Sequence, residues 1–168
     1  YFVVGGGKGY YARHEVRDLV NLLRVLRDPT DDLSLSALLR SPMFGVSCDT
    51  LYALAVRPGE TRETGAPLIE QLERTTAAGS VAPEEADRLR QAHATIQELL
   101  DMAVHLPVGR LLEEAVRRTE YVERLALRPN GRRRAANVRK LLQMASASDA
   151  YGAGDFVDRL SDLETVSD

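Results

Sequence analysis

A single cysteine, Cys48, leaves this chain without an internal disulfide or a cysteine-built zinc site, which fits a reducing compartment. Histidine is almost as scarce. His14, His93 and His105 lie far apart in sequence, and none forms the i, i+4 pair beside a glutamate that a helical zinc site requires. No apolar run reaches membrane-spanning length, and the start carries no basic, apolar, small-residue signal, so neither insertion nor secretion is supported. An excess of positive charge is also missing. The formal net charge is −3, the wrong sign for a protein that coats nucleic acid, so any such contact must be local. Ser34, Ser36, Ser41 and Ser47 lack a glycine-elbow context, and Cys48 has no electropositive sequence neighbour to activate its thiol. Carboxylates are plentiful but spread as solvated helix faces require. We therefore expect no catalytic, cofactor-binding or metal-binding residue.

What is present is enough for one sizeable core. The chain has 168 residues, 44% hydrophobic and 28% charged, so one domain is the default count. Tyr1 to Val4 is apolar or aromatic at every position and reads as a buried strand. No second strand follows. A lone strand must pair with another copy or belong to a sheet elsewhere in a larger protein, and the second reading is favoured. The glycine run Gly5-Gly6-Gly7-Lys8-Gly9 invites a phosphate-loop reading, but the positions a P-loop reserves for Gly and for Ser or Thr hold Phe2 and Gly9. It reads better as a turn that separates strand from helix.

Beyond it the pattern is helical throughout. From Ala12 to Arg27, Val16, Leu19, Val20, Leu22, Leu23, Val25 and Leu26 cover more than half the circumference, which predicts a central helix. Arg13, Arg17, Arg24 and Arg27 recur along the remaining stripe, interrupted by Glu15 and Asp18. Asp28-Pro29 stops this helix. Thr30 is the expected N-cap of a second helix through Arg40, with Leu33, Ala37 and Leu38 inward. Ser41 to Ser47 is a turn, and Ser47 or Asp49 caps a short helix reaching about Val56. Helix, glycine turn and helix is a layout that can hold a DNA backbone through turn amides. An exposed loop covers Arg57 to Ala66. Further helices are predicted over Pro67 to Ala78, Pro83 to His105, Pro107 onward through Val116, Tyr121 to Leu127, and Asp155 to Leu163.

The sharpest compositional feature lies between Leu125 and Ser148. This segment holds Arg128, Arg132, Arg133, Arg134, Arg139 and Lys140 and no acidic residue. Ala135, Val138, Leu141, Leu142 and Ala145 should anchor its helix, leaving Arg133, Asn137 and Lys140 outward. Two readings stay open. The segment is a local phosphate-binding patch, or Asp149, Asp155, Asp158, Asp162 and Glu164 neutralise it within the fold.

Gly5-Gly6, the pair Tyr10-Tyr11, Arg13, Glu15-Val16-Arg17-Asp18, the Leu22 to Leu26 run and Asp28-Pro29 with Asp31-Asp32 resemble the UvrD/Rep/PcrA family of superfamily 1 DNA helicases, and more closely its AddA and RecB branch. Leu38 to Val46, Asn137 to Leu142 and Phe156 to Leu163 extend the resemblance over nearly the whole chain. It implies an all-α, irregular multi-helix subdomain of the kind called 2B (residues 31–168), preceded by a strand, hinge and helix left from motor subdomain 2A (residues 1–30). The family's Walker A lysine, Walker B carboxylates and γ-phosphate arginines lie outside these residues. ATP and Mg²⁺ are thus implied for the parent and not for this piece, which should be inactive alone.

By position, Arg13 matches an arginine along the family's single-strand track. Gly45-Val46 falls at its turn against duplex DNA, where Phe44 and Ser47 replace a basic residue and a glycine. Arg132, Arg133 and Lys140 complete the expected nucleic-acid contacts. The implied partners are a single-strand/duplex junction of DNA and a partner subunit, in bacterial cytoplasm, in the service of unwinding, repair or recombination. The alternative is a helical protein-interaction module that does not touch DNA.

Overall fold

The computed structural model describes residues 9–55, 66–78 and 81–148, together with Phe156, Asp158 and Leu160. Among these residues the chain forms helices and no strand: α1 (His14–Arg27), α2 (Asp32–Arg40), α3 (Cys48–Ala55), α4 (Leu68–Ala78), α5 (Pro83–Ala103), α6 (Val108–Arg118), α7 (Tyr121–Ala126) and α8 (Gly131–Ser146). The all-α expectation therefore holds. The expected strand at Tyr1 to Val4, the turn at Gly5 to Lys8 and most of the loop before Ala66 lie outside the described residues, as does most of the last expected helix. Phe156 and Leu160 of that helix are buried, as its apolar pattern requires.

α1 is the central helix. Leu19, Leu23 and Val25 have no exposed surface, and the helix packs on α2, α5 and α8. Burying each such side chain contributes roughly 1.5–3 kcal/mol. α1 thus packs directly with the helices that follow it. Glu15 in its first turn and Arg24 and Arg27 in its last complement the helix dipole.

The segment Asp28-Pro29-Thr30-Asp31-Asp32 links three elements, and each aspartate has its own task. Asp28 takes the extended backbone that a following proline demands and accepts the Thr30 N–H at 3.0 Å and its hydroxyl at 2.6 Å. Asp31, not Thr30, is the N-cap of α2, accepting the Ser34 N–H at 3.0 Å and the Ser34 hydroxyl at 2.6 Å. Thr30 lies one residue before the cap position, with its hydroxyl turned back to Asp28. Asp32 accepts the Leu68 N–H at 2.8 Å and so ties down the start of α4.

Packing on α1 and α4 sets the rotation of α2. Ser34, Leu35, Leu38 and Leu39 are buried, whereas Leu33, expected inward, is 83% exposed. α4 and α5 pair as a hairpin, and α6 and α7 both close onto α8. Two of these approaches depend on the absence of a side chain. A Cβ at Gly109 would lie 2.7 Å from the Ser146 Cα, and one at Gly131 would lie 2.5 Å from the Ala126 carbonyl oxygen.

Candidate nucleic-acid interface

α8 presents the basic segment. Arg128, Arg132, Arg133 and Arg139 are exposed, and none of them forms an ion pair among the described residues. Of the aspartates and glutamate expected to neutralise the segment, only Asp158 is described. It pairs instead with Arg27 of α1 at 2.8 Å. The N-terminus of α8 follows Asn130, which has a left-handed backbone and offers no side-chain cap, and no acidic residue stands in the first turn. Arg132, Arg133 and Arg134 occupy that turn instead, next to the positive end of the helix dipole, which disfavours cations there by roughly 0.3–1 kcal/mol each. An anion at this corner would relieve both the orphan amides and the crowded guanidinium groups.

Arg133, Asn137 and Lys140 share a stripe of α8, but only Arg133 is fully outward. Asn137 and Lys140 turn toward the start of α1. The Lys140 ammonium lies over the Tyr10 ring, 4.6 Å from its centroid. The Tyr10 hydroxyl donates to the Asn137 carbonyl at 2.8 Å, and the Asn137 amide donates to Glu15 Oε1 at 2.6 Å. Burial pushes the Tyr10 hydroxyl's pKa well up, with Tyr11 and Glu15 adding to the effect. Arg134 approaches the other Glu15 oxygen at 3.9 Å. Arg13, on the turn before α1, is exposed at the edge of this seam.

Glu15 and Asp18 were expected on the charged stripe of α1. They are instead part of a polar seam joining α1, α7 and α8. Glu15 is buried. Asp18 accepts the Tyr121 hydroxyl at 2.6 Å, and that hydroxyl also stands 3.5 Å from the Glu15 carbonyl. Burial raises the Asp18 carboxyl from its ordinary value of 3.8 to about 6, against the lowering effect of the Tyr121 hydroxyl, His14 and Arg128, while Glu15 adds to the rise. A carboxyl whose folded pKa is raised contributes stability that is complete below its unfolded value and is lost as pH climbs through the folded one. For Asp18 the window runs from about 3.8 to about 6. We expect melting temperatures of the parent chain minus those of Asp18→Asn to fall as pH rises from 4 to 7, by the equivalent of roughly 2–3 kcal/mol. A flat difference would show that Asp18 titrates normally.

The α2–α3 turn holds the remaining expected contacts. Gly45 is exposed with φ +66, and Val46 is buried, so its side chain belongs to the core. The turn amides face inward. Phe44 and Gly45 donate to the Ser41 carbonyl at 3.2 and 2.8 Å, Val46 to that of Leu39 at 2.9 Å, and Met43 to the Ser41 hydroxyl at 3.2 Å. Ser47 caps α3, its hydroxyl accepting the Thr50 N–H at 3.1 Å.

Elsewhere, an open groove of about 750 Å³ separates the end of α5 from α6, lined by Glu98, Asp101, Met102, His105, Leu106 and Arg110 among others. Its charges are largely paired, Glu98 with Arg118 and Glu114 with Arg117. Among the described residues no three His, Cys, Asp or Glu side chains converge as a metal site, and no helix is long and apolar enough to cross a membrane.

No family model matches the chain. Among curated relatives it is 26% identical to the AddA-type ATP-dependent helicase/nuclease protein of Lachnoclostridium phytofermentans, over 89% of this chain and 14% of that protein. Against the protein of the same name from Thermoanaerobacter sp. the figures are 28%, 96% and 13%. The ATP-dependent DNA helicase PcrA of Bacillus subtilis is 30% identical over 74% of this chain and 16% of its own length. The chain thus spans only about a seventh of the relatives it matches, and the family resemblance carried by its own residues is borne out.

Proposed function

We propose that this chain, whose curated homologues are AddA-type ATP-dependent helicase/nuclease proteins and a PcrA helicase, is the helical 2B-type insertion of such a motor protein and guides DNA along α8 and the start of α1. The parent would bind ATP with Mg²⁺ and hydrolyse it through residues beyond this piece. Here the glycine run lacks P-loop spacing, and no step of hydrolysis is assigned to the residues described. The division of labour follows the packing. α1 belongs with the helical body, so any rigid-body swing against the motor would turn on backbone before Tyr10.

The observation that carries the DNA reading is the exposed arginine surface of α8, without an ion pair at Arg132, Arg133 or Arg139 among the described residues, on a chain of net negative charge. A phosphate backbone would supply anions for such a face. Arg13 extends the same surface, with Tyr10 and Lys140 between.

Fluorescence anisotropy of the 168-residue chain with a tailed duplex, at two salt concentrations, tests this. The expected result is salt-sensitive binding that Arg132→Ala/Arg133→Ala/Arg139→Ala weakens about tenfold or more, with the salt slope reduced by about two to three. Lys140→Ala should matter less, because its ammonium is already engaged by Tyr10. Binding unaltered by the triple change would overturn the reading. The second reading, a protein-interaction module, draws on the α5–α6 groove, and salt-insensitive capture of a protein partner with no DNA affinity would favour it.

A further inference from the structure

In a helix–turn–helix grip on DNA, the N-terminus of the second helix is the natural seat for a phosphate, because its amides are unpaired and its dipole is positive. In this chain a carboxylate already stands at the N-cap of α3. Glu85, from the first turn of α5, reaches across and accepts the Ser47 N–H through Oε2 at 3.0 Å. Its side chain is only 13% exposed. Arg88, one turn along α5, pairs with the same carboxylate and holds it in place. The Ser47 and Thr50 hydroxyls, 2.9 Å apart, complete the corner. Together with the inward amides of Met43 to Val46, the Ser47 N–H leaves no backbone donor from Met43 through Ser47 to meet an incoming phosphate.

We propose that Glu85 is a specificity-determining residue that closes the α2–α3 turn to phosphate, so that nucleic acid meets this chain at α8 and not at the turn. The inference rests on the DNA reading above for its biological meaning but not for its test. A carboxylate at the end of a helix does the work of a phosphate and repels a second anion at the same place. The tie also fixes α3 to α5. Glu85 therefore both shapes the corner and bars it. Burial and the Arg88 contact make the bar a built part of the fold, and the carboxyl is held below its ordinary range chiefly by the Ser47 N–H.

The test uses the ¹⁵N-labelled 168-residue chain with inorganic phosphate as probe, for the parent sequence, Glu85→Ala and Glu85→Gln. In the parent the amide signals of Ser47, Cys48 and Asp49 should stay still as phosphate is added. In Glu85→Ala they should shift saturably, and in the same variant duplex affinity should rise with a salt slope steeper by about one. Glu85→Gln keeps the acceptor and the volume and loses only the charge, so it tests the idea even if Glu85→Ala does not fold. Its duplex affinity should exceed the parent's by at least twofold. Parent amides that titrate with phosphate would overturn the proposal, as would a Glu85→Gln chain no tighter on duplex than the parent. Failure of the α8 reading looks different, since it would appear in the arginine variants and leave the phosphate titration untouched.

Discussion

Tyr121→Ala should remove about 3–5 kcal/mol from the unfolding free energy, a large fraction of the roughly 5–15 kcal/mol that holds an ordinary domain together. Tyr121 has no exposed surface and heads the largest buried side chains. It opens α7, a helix of 6 residues that follows Glu120 in a left-handed backbone (φ 50). So short a helix has almost no stability of its own and stands because the Tyr121 ring is anchored in the core. Truncation empties that anchor and also leaves the half-buried Asp18 without its hydroxyl donor. Tyr121→Phe separates the two effects. It keeps the ring and loses the hydrogen bond, for an expected cost of about 1–3 kcal/mol. In that variant the Asp18 carboxyl should titrate higher still, because the hydroxyl that now lowers it is gone. Denaturant unfolding of the three chains at several pH values measures all of this, and equal stability of Tyr121→Ala and Tyr121→Phe would refute the packing account.

The second large effect is expected at glycines that have no room for a methyl group. Gly131→Ala places a Cβ 2.5 Å from the Ala126 carbonyl oxygen and 2.6 Å from that of Leu125, and backbone of this kind yields only if α7 and α8 move apart. Gly109→Ala meets the Ser146 Cα at 2.7 Å and N at 2.8 Å, which would force α8 off α6. Each change should cost about 2–3 kcal/mol. Gly45→Ala makes a useful contrast. Nothing lies within 4 Å of its Cβ position, and only the strain of φ +66 opposes it, worth about 1 kcal/mol. Chemical unfolding should therefore rank Gly45→Ala well above the other two in stability. If Gly131→Ala melts with the parent, the close approach of α7 and α8 does not exist in solution. Because Gly131 sets where Arg132 and Arg133 emerge, its alanine variant should also weaken DNA binding.

Most of the helices were legible because their signals are local. The apolar spread of α1, the proline after Asp28, Pro83 opening α5 and the Leu106-Pro107 break all act within a turn or two of where they stand. α2 shows where locality fails. Its apolar residues occupy adjoining stripes, so the pattern allows more than one rotation, and packing on α1 and α4 decides which stripe is buried. Glu15 carried a signal that its charge obscures. It shares helical phase with Leu19, Leu22 and Leu26, which marks it as core-facing. The partner that makes this burial tolerable, Asn137, is far along the chain and no spacing rule reaches it.

The arginines of α8 were found because composition alone exposes them. Glu85 was not, since its meaning depends on Ser47, a residue on another element. The Asp-Pro-x-Asp-Asp run gives a related lesson. Its aspartates helped to identify the family, yet each of them is engaged in joining helices, so that motif records architecture here and not chemistry.

Packed against α2, α5 and α8, α1 is a strut of about 21 Å, from its length in residues and the rise per residue. A displacement of α1 would have to move against α2, α5 and α8 together. At its upstream end Gly9, with φ +88, holds a backbone conformation that any L side chain would strain, so the turn into the buried Tyr10 and Tyr11 is suited to glycine and costly to other residues.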